Sequence, residues 1–224
     1  MSARQRVVAV DGPSGSGKST VSRGVADALG LEVLDTGAMY RAVTQAALDA
    51  GVSLADEDAL AKIAQAAAIT VERGTTTLDG RDVSAAIRGP EVTAAVSLVS
   101  AHPAVRRVLV QRQRGWVDKH GGGVVEGRDI GTVVFPDAPV KIFLTASDEE
   151  RAKRRHRDEA AAARDVEVEA VREALKRRDH IDSNRTTSPL RAADDAVQLD
   201  TTGRDVGDIV DAIVARYRTA TGEA

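Results

Sequence analysis

The sequence predicts an α/β protein: a parallel sheet flanked by helices, interrupted by a small inserted unit and completed by a helical lid. Three observations predict this. Val7-Val8-Ala9-Val10 is a continuous apolar run, the pattern of a strand covered on both faces. Short apolar runs then alternate with helical patterns, which is the rhythm of a parallel sheet. Between residues 64 and 105 that rhythm stops, and it resumes afterwards, as when an insert breaks a core.

The elements follow in order. After the first strand, a helix begins near Gly17, buries Val21, Val25 and Leu29, and stops at Gly30. "LEVLD" (31–35) is a second strand, and "AMYRAVTQAALDA" (38–50) a helix closed by Gly51. "ITVERGTTTLDGRDV" alternates and carries an Asp79-Gly80 turn signal, so an antiparallel hairpin is expected there. Helical patterns occupy 89–101 and 103–119. Strand patterns return in "GGGVVEGRD" (121–129), "VKIFLTA" (140–146) and "AVQLDTT" (196–202). The last leads into a helix expected to bury Val206, Ile209, Ile213 and Val214. The stretch 149–180 is helical and heavily charged, with an alanine run at 160–163 that suits a hinge. The division is therefore core 1–63, insert 64–105, core 106–148, lid with flanking helices 149–180, and core 181–224.

A chain of 224 residues suits one large α/β domain or a core with a small inserted domain. Its net charge of -3 argues against a surface built for nucleic acid. Without cysteine there are no disulfides or thiolate metal sites. His102, His120, His156 and His180 are scattered, with no metal-pair spacing. The start "MSARQRVVAV" lacks an apolar signal core, and no run approaches the ~20 apolar residues of a membrane span. The expectation is a cytoplasmic protein without membrane or nucleic-acid partners.

"DGPSGSGKST" (11–20) lies between the first strand and the first helix. Gly12-Pro13-Ser14-Gly15-Ser16-Gly17-Lys18-Ser19 satisfies the phosphate-loop pattern in the strand–helix context that pattern requires, which disfavours a chance glycine-serine turn. Its glycines let backbone N–H groups converge on phosphate oxygens at a helix N-terminus. Lys18 can reach the β- and γ-phosphates, and the Ser19 hydroxyl can ligate Mg²⁺. With Thr20 these residues form the ATP side, and the fold class becomes a P-loop NTPase-type sheet.

No Asn-Lys-x-Asp run follows a later strand, which excludes a GTPase switch. Arginines instead crowd the places where a second phosphate would bind: Arg41 in "DTGAMYRA", Arg128 in "EGRDIG", and the clusters "RAKRRHR" (151–157) and "KRRDHIDSNR" (176–185). Loops after strand C-termini share one crevice in a doubly wound sheet, so these cations can converge there. Phosphoryl transfer between two anions needs that arrangement. Plainer readings stand beside it. Arg151, Arg154, Arg155 and Arg157 suit a solvated helix face, Arg128 and Asp129 a structural ion pair, and Arg41 a pairing with an acidic neighbour.

In "VDGPSGSGKST", "LDTGAMYRA", "EGRDIGTVVFPDAPVKIFL" and "RDHIDSNRTTSPL" the chain resembles the bacterial cytidylate kinases, a branch of the nucleoside monophosphate kinases, nearly end to end. The family often has Ser at the position of Thr36, which keeps the hydroxyl. The resemblance implies that the insert binds the monophosphate. It implies that Ser14, Arg41 and Arg128 hold the acceptor phosphate, that Ser97, Arg106 and Asp129 read cytosine, and that Arg178, Asp182 and Arg185 approach the ribose and the acceptor side. Thr36 would lie beside the base or ribose, and Arg154 and Arg155 would complete the ATP side. Lys18, Arg128, Arg155 and Arg185 would surround the transferred group. The implied reaction moves the γ-phosphoryl of MgATP to CMP and dCMP in a monomer. A kinase for UMP or AMP, and a regulatory module that hydrolyses ATP slowly, remain open at this point.

Overall fold

The computed structural model describes residues 2–222 apart from 73 and 165. Val7–Asp11 (β1) is the middle strand of a five-stranded sheet, and every one of its residues is buried. Its neighbours are Gly123–Gly127 (β6) and Val140–Thr145 (β7), both parallel to it. Val33–Asp35 (β2) and Val197–Asp200 (β8) close the two edges, giving the order β2-β6-β1-β7-β8. The alternation along β1 explains its unbroken apolar run. Val7 and Ala9 enter one core, while Val8 and Val10 enter another on the opposite face.

The second of these cores is closed by Lys18–Leu29 (α1) and Val206–Thr221 (α8) through Val21, Val25, Ile209, Ile213 and Tyr217. Two expected core residues fall short. Leu29 is half-buried at the end of α1, and Val206 is 41% exposed because it is the first residue of α8, directly after its Asp205 cap. Val210 and Tyr217 fill the core instead.

The other face carries Thr36–Asp49 (α2), Glu57–Ala66 (α3), Pro90–Ala101 (α4) and Pro103–His120 (α5). α2 starts two residues earlier than the sequence pattern suggests. The Asp35 carboxylate accepts from the Ala38 N–H at 3.0 Å, so the cap sits at the end of β2 and no linker intervenes. The pattern gives no warning of α3, whose start is capped in the same way by Asp56. Where one hairpin is expected there is a three-stranded antiparallel sheet: Ile69–Glu72 (β3), Thr75–Leu78 (β4) and Arg81–Asp82 (β5). Asp79 and Gly80, both at positive φ, form the second turn, as a tight β4–β5 connection requires.

The charged segment forms Asp148–Ala161 (α6) and Val168–Asn184 (α7). They hold each other through a separate small cluster, Ala152, Val171 and Leu175. α6 ends in the alanine run, where Ala163 turns left-handed at φ 55.

Candidate active site

The phosphate loop bridges β1 and α1, and its shape depends on close backbone approaches. A Cβ at Gly12, where φ is 146, would lie 2.2 Å from the Leu144 carbonyl oxygen. One at Gly15 would meet the Arg151 carbonyl at 2.9 Å, so the start of α6 rests directly on the loop. The Arg151 guanidinium donates to the Ser14 carbonyl at 3.1 Å and pairs with Asp148 and Asp179. Arg154 donates to the Thr201 carbonyl and hydroxyl, both at 2.8 Å, and that hydroxyl donates to the Ser16 carbonyl at 3.1 Å. Ser16 Oγ is buried without a partner. Ser19 and Thr20 stand exposed on the first turn of α1.

Half-buried Lys18 folds back on the loop, its Nζ donating to the Gly12 and Pro13 carbonyls at 2.8 Å each. Desolvation pushes its amine down to about 7, and Arg128 pushes the same way. Glu126, on β6, is the nearby anion. It accepts from the Ser19 hydroxyl at 2.7 Å, while burial, aided by Asp35, raises its carboxyl to about 7. The Thr36 hydroxyl donates to the Glu126 carbonyl at 2.7 Å. Asp11 accepts from the N–H groups of Ile130 and Gly131, each at 2.8 Å, which fastens the loop after β6 to the phosphate loop. Burial raises that carboxyl to about 6.

Beyond the loop lies a surplus of cations. Arg41 is buried and donates to the Ile87 carbonyl at 2.8 Å and the Thr93 hydroxyl at 2.9 Å. Among the described residues no carboxylate stands within ion-pair distance of it, so the pairing with an acidic neighbour is not what is found. Burial and the repulsion of Arg178, Arg155 and Arg88 hold it well below the ordinary guanidinium range. Arg178 is likewise lowered to about 10, by burial and then by Arg128. Asp182 is shared by Arg128, at 3.1 Å, and Arg178, at 3.9 Å. Burial works to raise Asp182, but the three guanidiniums of Arg128, Arg178 and Arg185 outweigh it and keep this carboxyl below its usual value. Like charges gathered with too few anions to neutralise them call for an anionic ligand.

At the far end of the cleft Arg106 pairs with Asp129, and Arg185 lies 3.7 Å from the other Asp129 oxygen. Arg106 also donates to the Ser100 carbonyl at 3.2 Å, one turn past buried Ser97. α5 leads directly into β6 at its far end, so Arg106 in its first turns stands beside the segment that follows β6 and meets Asp129 there.

Residues 8–219 match the family model described as cytidylate kinase. A cytidylate kinase from Mycobacterium avium (strain 104) is 55% identical over 209 residues, 92% of each chain. One from Rhodococcus opacus (strain B4) is 49% identical over 231 residues and covers 100% of both. The chain belongs to the cytidylate kinase family. The fold also recurs in the crystal structure of an uncharacterized protein from Eubacterium ventriosum ATCC 27560, at a TM-score of 0.56 and 12% identity, covering 96% of this chain and 99% of that one.

For this cytidylate kinase family member, most of the residues singled out in the sequence gather beyond the C-terminal ends of β1, β2, β6 and β7. Lys18, Arg41, Arg128, Arg155 and Arg178 act on one another electrically, Arg106, Asp129 and Arg185 form a connected ionic chain, and Asp182 pairs with Arg128 and Arg178. Arg155 pairs with Glu159 at 2.6 Å. The solvated-face reading fails for Arg151, which is buried, and for half-buried Arg154 and Arg155, and it holds for exposed Arg157. Sequence reasoning missed Glu126, Asp11 and Arg88. Glu126 did leave a signal: it is an ionisable residue inside a strand patterned for full burial.

Proposed function

We propose that the chain transfers the γ-phosphoryl group of MgATP to CMP and dCMP, giving CDP and dCDP. The observation that carries this reading is Arg41, buried with no carboxylate at ion-pair distance and repelled by Arg178, a guanidinium that also acts on Lys18 of the phosphate loop, which serves a different phosphate. Two anion sites in one cleft suit transfer from a phosphate to a phosphate.

The acceptor oxygen is already a competent nucleophile, so positioning and charge neutralisation carry the reaction and no covalent intermediate is needed. Arg41, Arg128 and Ser14 hold the acceptor phosphate, and Arg178, Asp182 and Arg185 take the ribose side with Thr36 close by. Ser97, Arg106 and Asp129 read the base. Lys18, Arg155 and Arg185 neutralise charge on the moving group, and Arg154 anchors the lid root against the loop. One chain supplies every residue named, which suits a monomer. Mg²⁺ fits the donor set: the Ser19 hydroxyl and the Glu126 carboxylate are hard oxygens in contact, and Asp35 raises Glu126 further, a strain that a cation relieves. Among the described residues no group of three or more His, Cys, Asp or Glu could hold a metal ion. Bound there, Mg²⁺ screens the triphosphate charge. Among the described residues no helix is long and apolar enough to cross a membrane.

Two results follow from the charges and the lid. Because burial, aided by Arg128, pushes the Lys18 amine down to about 7, it is largely neutral at pH 8, and phosphate anions beside it raise its affinity for a proton. Binding of a non-hydrolysable MgATP analogue at pH 8 is therefore expected to take up about one proton, and much less at pH 6, where the amine is already charged. Calorimetry in buffers of different ionisation enthalpy reads this directly, and a heat independent of buffer at pH 8 contradicts it. The second concerns α6 and α7, which touch each other through their own small cluster. Amide exchange across this segment is expected to slow when a bisubstrate analogue spans both sites, since closure excludes water. Unchanged exchange rules out a lid.

The acceptor is tested by ADP release with MgATP and a panel of CMP, dCMP, UMP and AMP. CMP and dCMP are expected to lead. Preference for UMP or AMP gives the acceptor to another base, and ATP consumption indifferent to every monophosphate makes the chain a regulatory ATPase.

A further inference from the structure

Four buried polar atoms at the base end of the cleft have no hydrogen-bond partner: Tyr40 Oη, Arg106 Nε and both amide atoms of Gln113. Tyr40 is 7% exposed and Gln113 1%. A buried amide that satisfies neither of its ends is costly, and a Met or Leu of similar volume would avoid that cost. The three residues are arranged around one object. Arg106 and Gln113 lie seven residues apart on α5 and so share a face of that helix. The Arg106 guanidinium stands over the Tyr40 ring, 5.3 Å from its centroid. Gln113 is the side chain that acts on the Tyr40 hydroxyl, within reach of it but off hydrogen-bond geometry.

Two of the guanidinium's edges are occupied, by Asp129 and by the Ser100 carbonyl. Those contacts leave it free to tilt out of plane about the Cδ–Nε bond. The ring face restrains that tilt without consuming a donor. Gln113 stands at the hydroxyl end of the ring, where an amide can steer it. Tyr40 also directly precedes Arg41 on α2, so one helix turn sets both the base end and the phosphate end of the acceptor cleft.

We propose that Tyr40 and Gln113 are positioning residues that set the plane of the Arg106 guanidinium and so the choice of acceptor base. This rests on the reading of the site as a cytidine monophosphate kinase. In that role the orphaned Tyr40 hydroxyl and Gln113 amide bond to each other once the acceptor base settles Arg106.

The test uses Tyr40→Leu, Tyr40→Phe, Gln113→Met and the double variant Tyr40→Phe with Gln113→Met. For each, kcat and KM with CMP and with UMP, KM for ATP, and the melting temperature are measured. Tyr40→Leu is expected to narrow the CMP-to-UMP preference at least about five-fold, mainly through KM for CMP, with KM for ATP unchanged. Tyr40→Phe keeps the ring and should narrow it less. Gln113→Met should match Tyr40→Phe, and the double variant should do no more than either single change, because both cut one link. A lowered melting temperature with an intact preference makes Tyr40 structural and overturns the proposal. Additive effects of the two mild changes overturn the part given to Gln113. Should Tyr40→Leu not fold, the mild pair and their double decide alone, and no narrowing in any of them overturns it. A wild-type protein that phosphorylates neither CMP nor UMP overturns the underlying reading instead, which separates the two failures.

Discussion

Lys18→Ala is expected to lower turnover at least about 100-fold while the protein stays folded, the usual scale for removing a donor aimed at transition-state charge. The structure explains why activity and folding should separate. Lys18 is half-buried, its Nζ contacts are two carbonyls of its own loop, and desolvation already disfavours its charge. Losing the side chain therefore removes a charge that burial already disfavours, and leaves the two apolar cores untouched. Lys18→Arg should not rescue turnover, because the planar guanidinium cannot occupy the compact space between the Gly12 and Pro13 carbonyls. Steady-state turnover with melting temperature checks both halves. A variant that keeps more than about a tenth of wild-type turnover removes Lys18 from the chemistry.

Asp129→Asn is expected to produce the second large loss, and a selective one. Cytosine presents an amino donor at N4, which a carboxylate can accept, whereas uracil presents a carbonyl there and sets two acceptors against each other. In a desolvated cleft that mismatch costs about 1–3 kcal/mol, or roughly 5- to 150-fold in discrimination. The amide keeps the shape of Asp129 and can turn a donor toward uracil. CMP efficiency should therefore fall, UMP efficiency should rise or hold, and the affinity for ATP should stay. Stability will also fall, since Arg106 and Arg185 both face Asp129 and a buried cation left without its acid is destabilising. That loss is common to base reading and to a plain ion pair. Acceptor preference separates them: an unchanged ratio of CMP to UMP efficiency leaves Asp129 as structural support alone.

The core was legible in the sequence where its cause is local. β1, the phosphate loop and α1 follow one another directly, so the apolar run, the glycines and the helix periodicity are read in one pass. Long-range consequences were not legible. Arg151 looks like part of a solvated basic helix because its partners, Ser14 and Asp179, are 137 and 28 residues away. Glu126 stands out as an ionisable residue inside a buried strand, but its partner Ser19 lies 107 residues away, so its role in the site is not local. The Arg106–Asp129 pair emerges from no periodicity at all. Its members are 23 residues apart, on a helix and on the loop after a strand, and it was the family resemblance that singled them out. Val206 shows the opposite error, since helix periodicity assigns a buried face without knowing that Asp205 caps the helix and leaves Val206 at its exposed first position.

The central claim is that the two anion sites work as donor and acceptor in one transfer. Incubation with γ-labelled MgATP and CMP, followed by separation of nucleotides from inorganic phosphate, tests it most directly. The account predicts label in CDP, formed in step with ADP and with little free phosphate. Label released as inorganic phosphate at the same rate with and without CMP would contradict it.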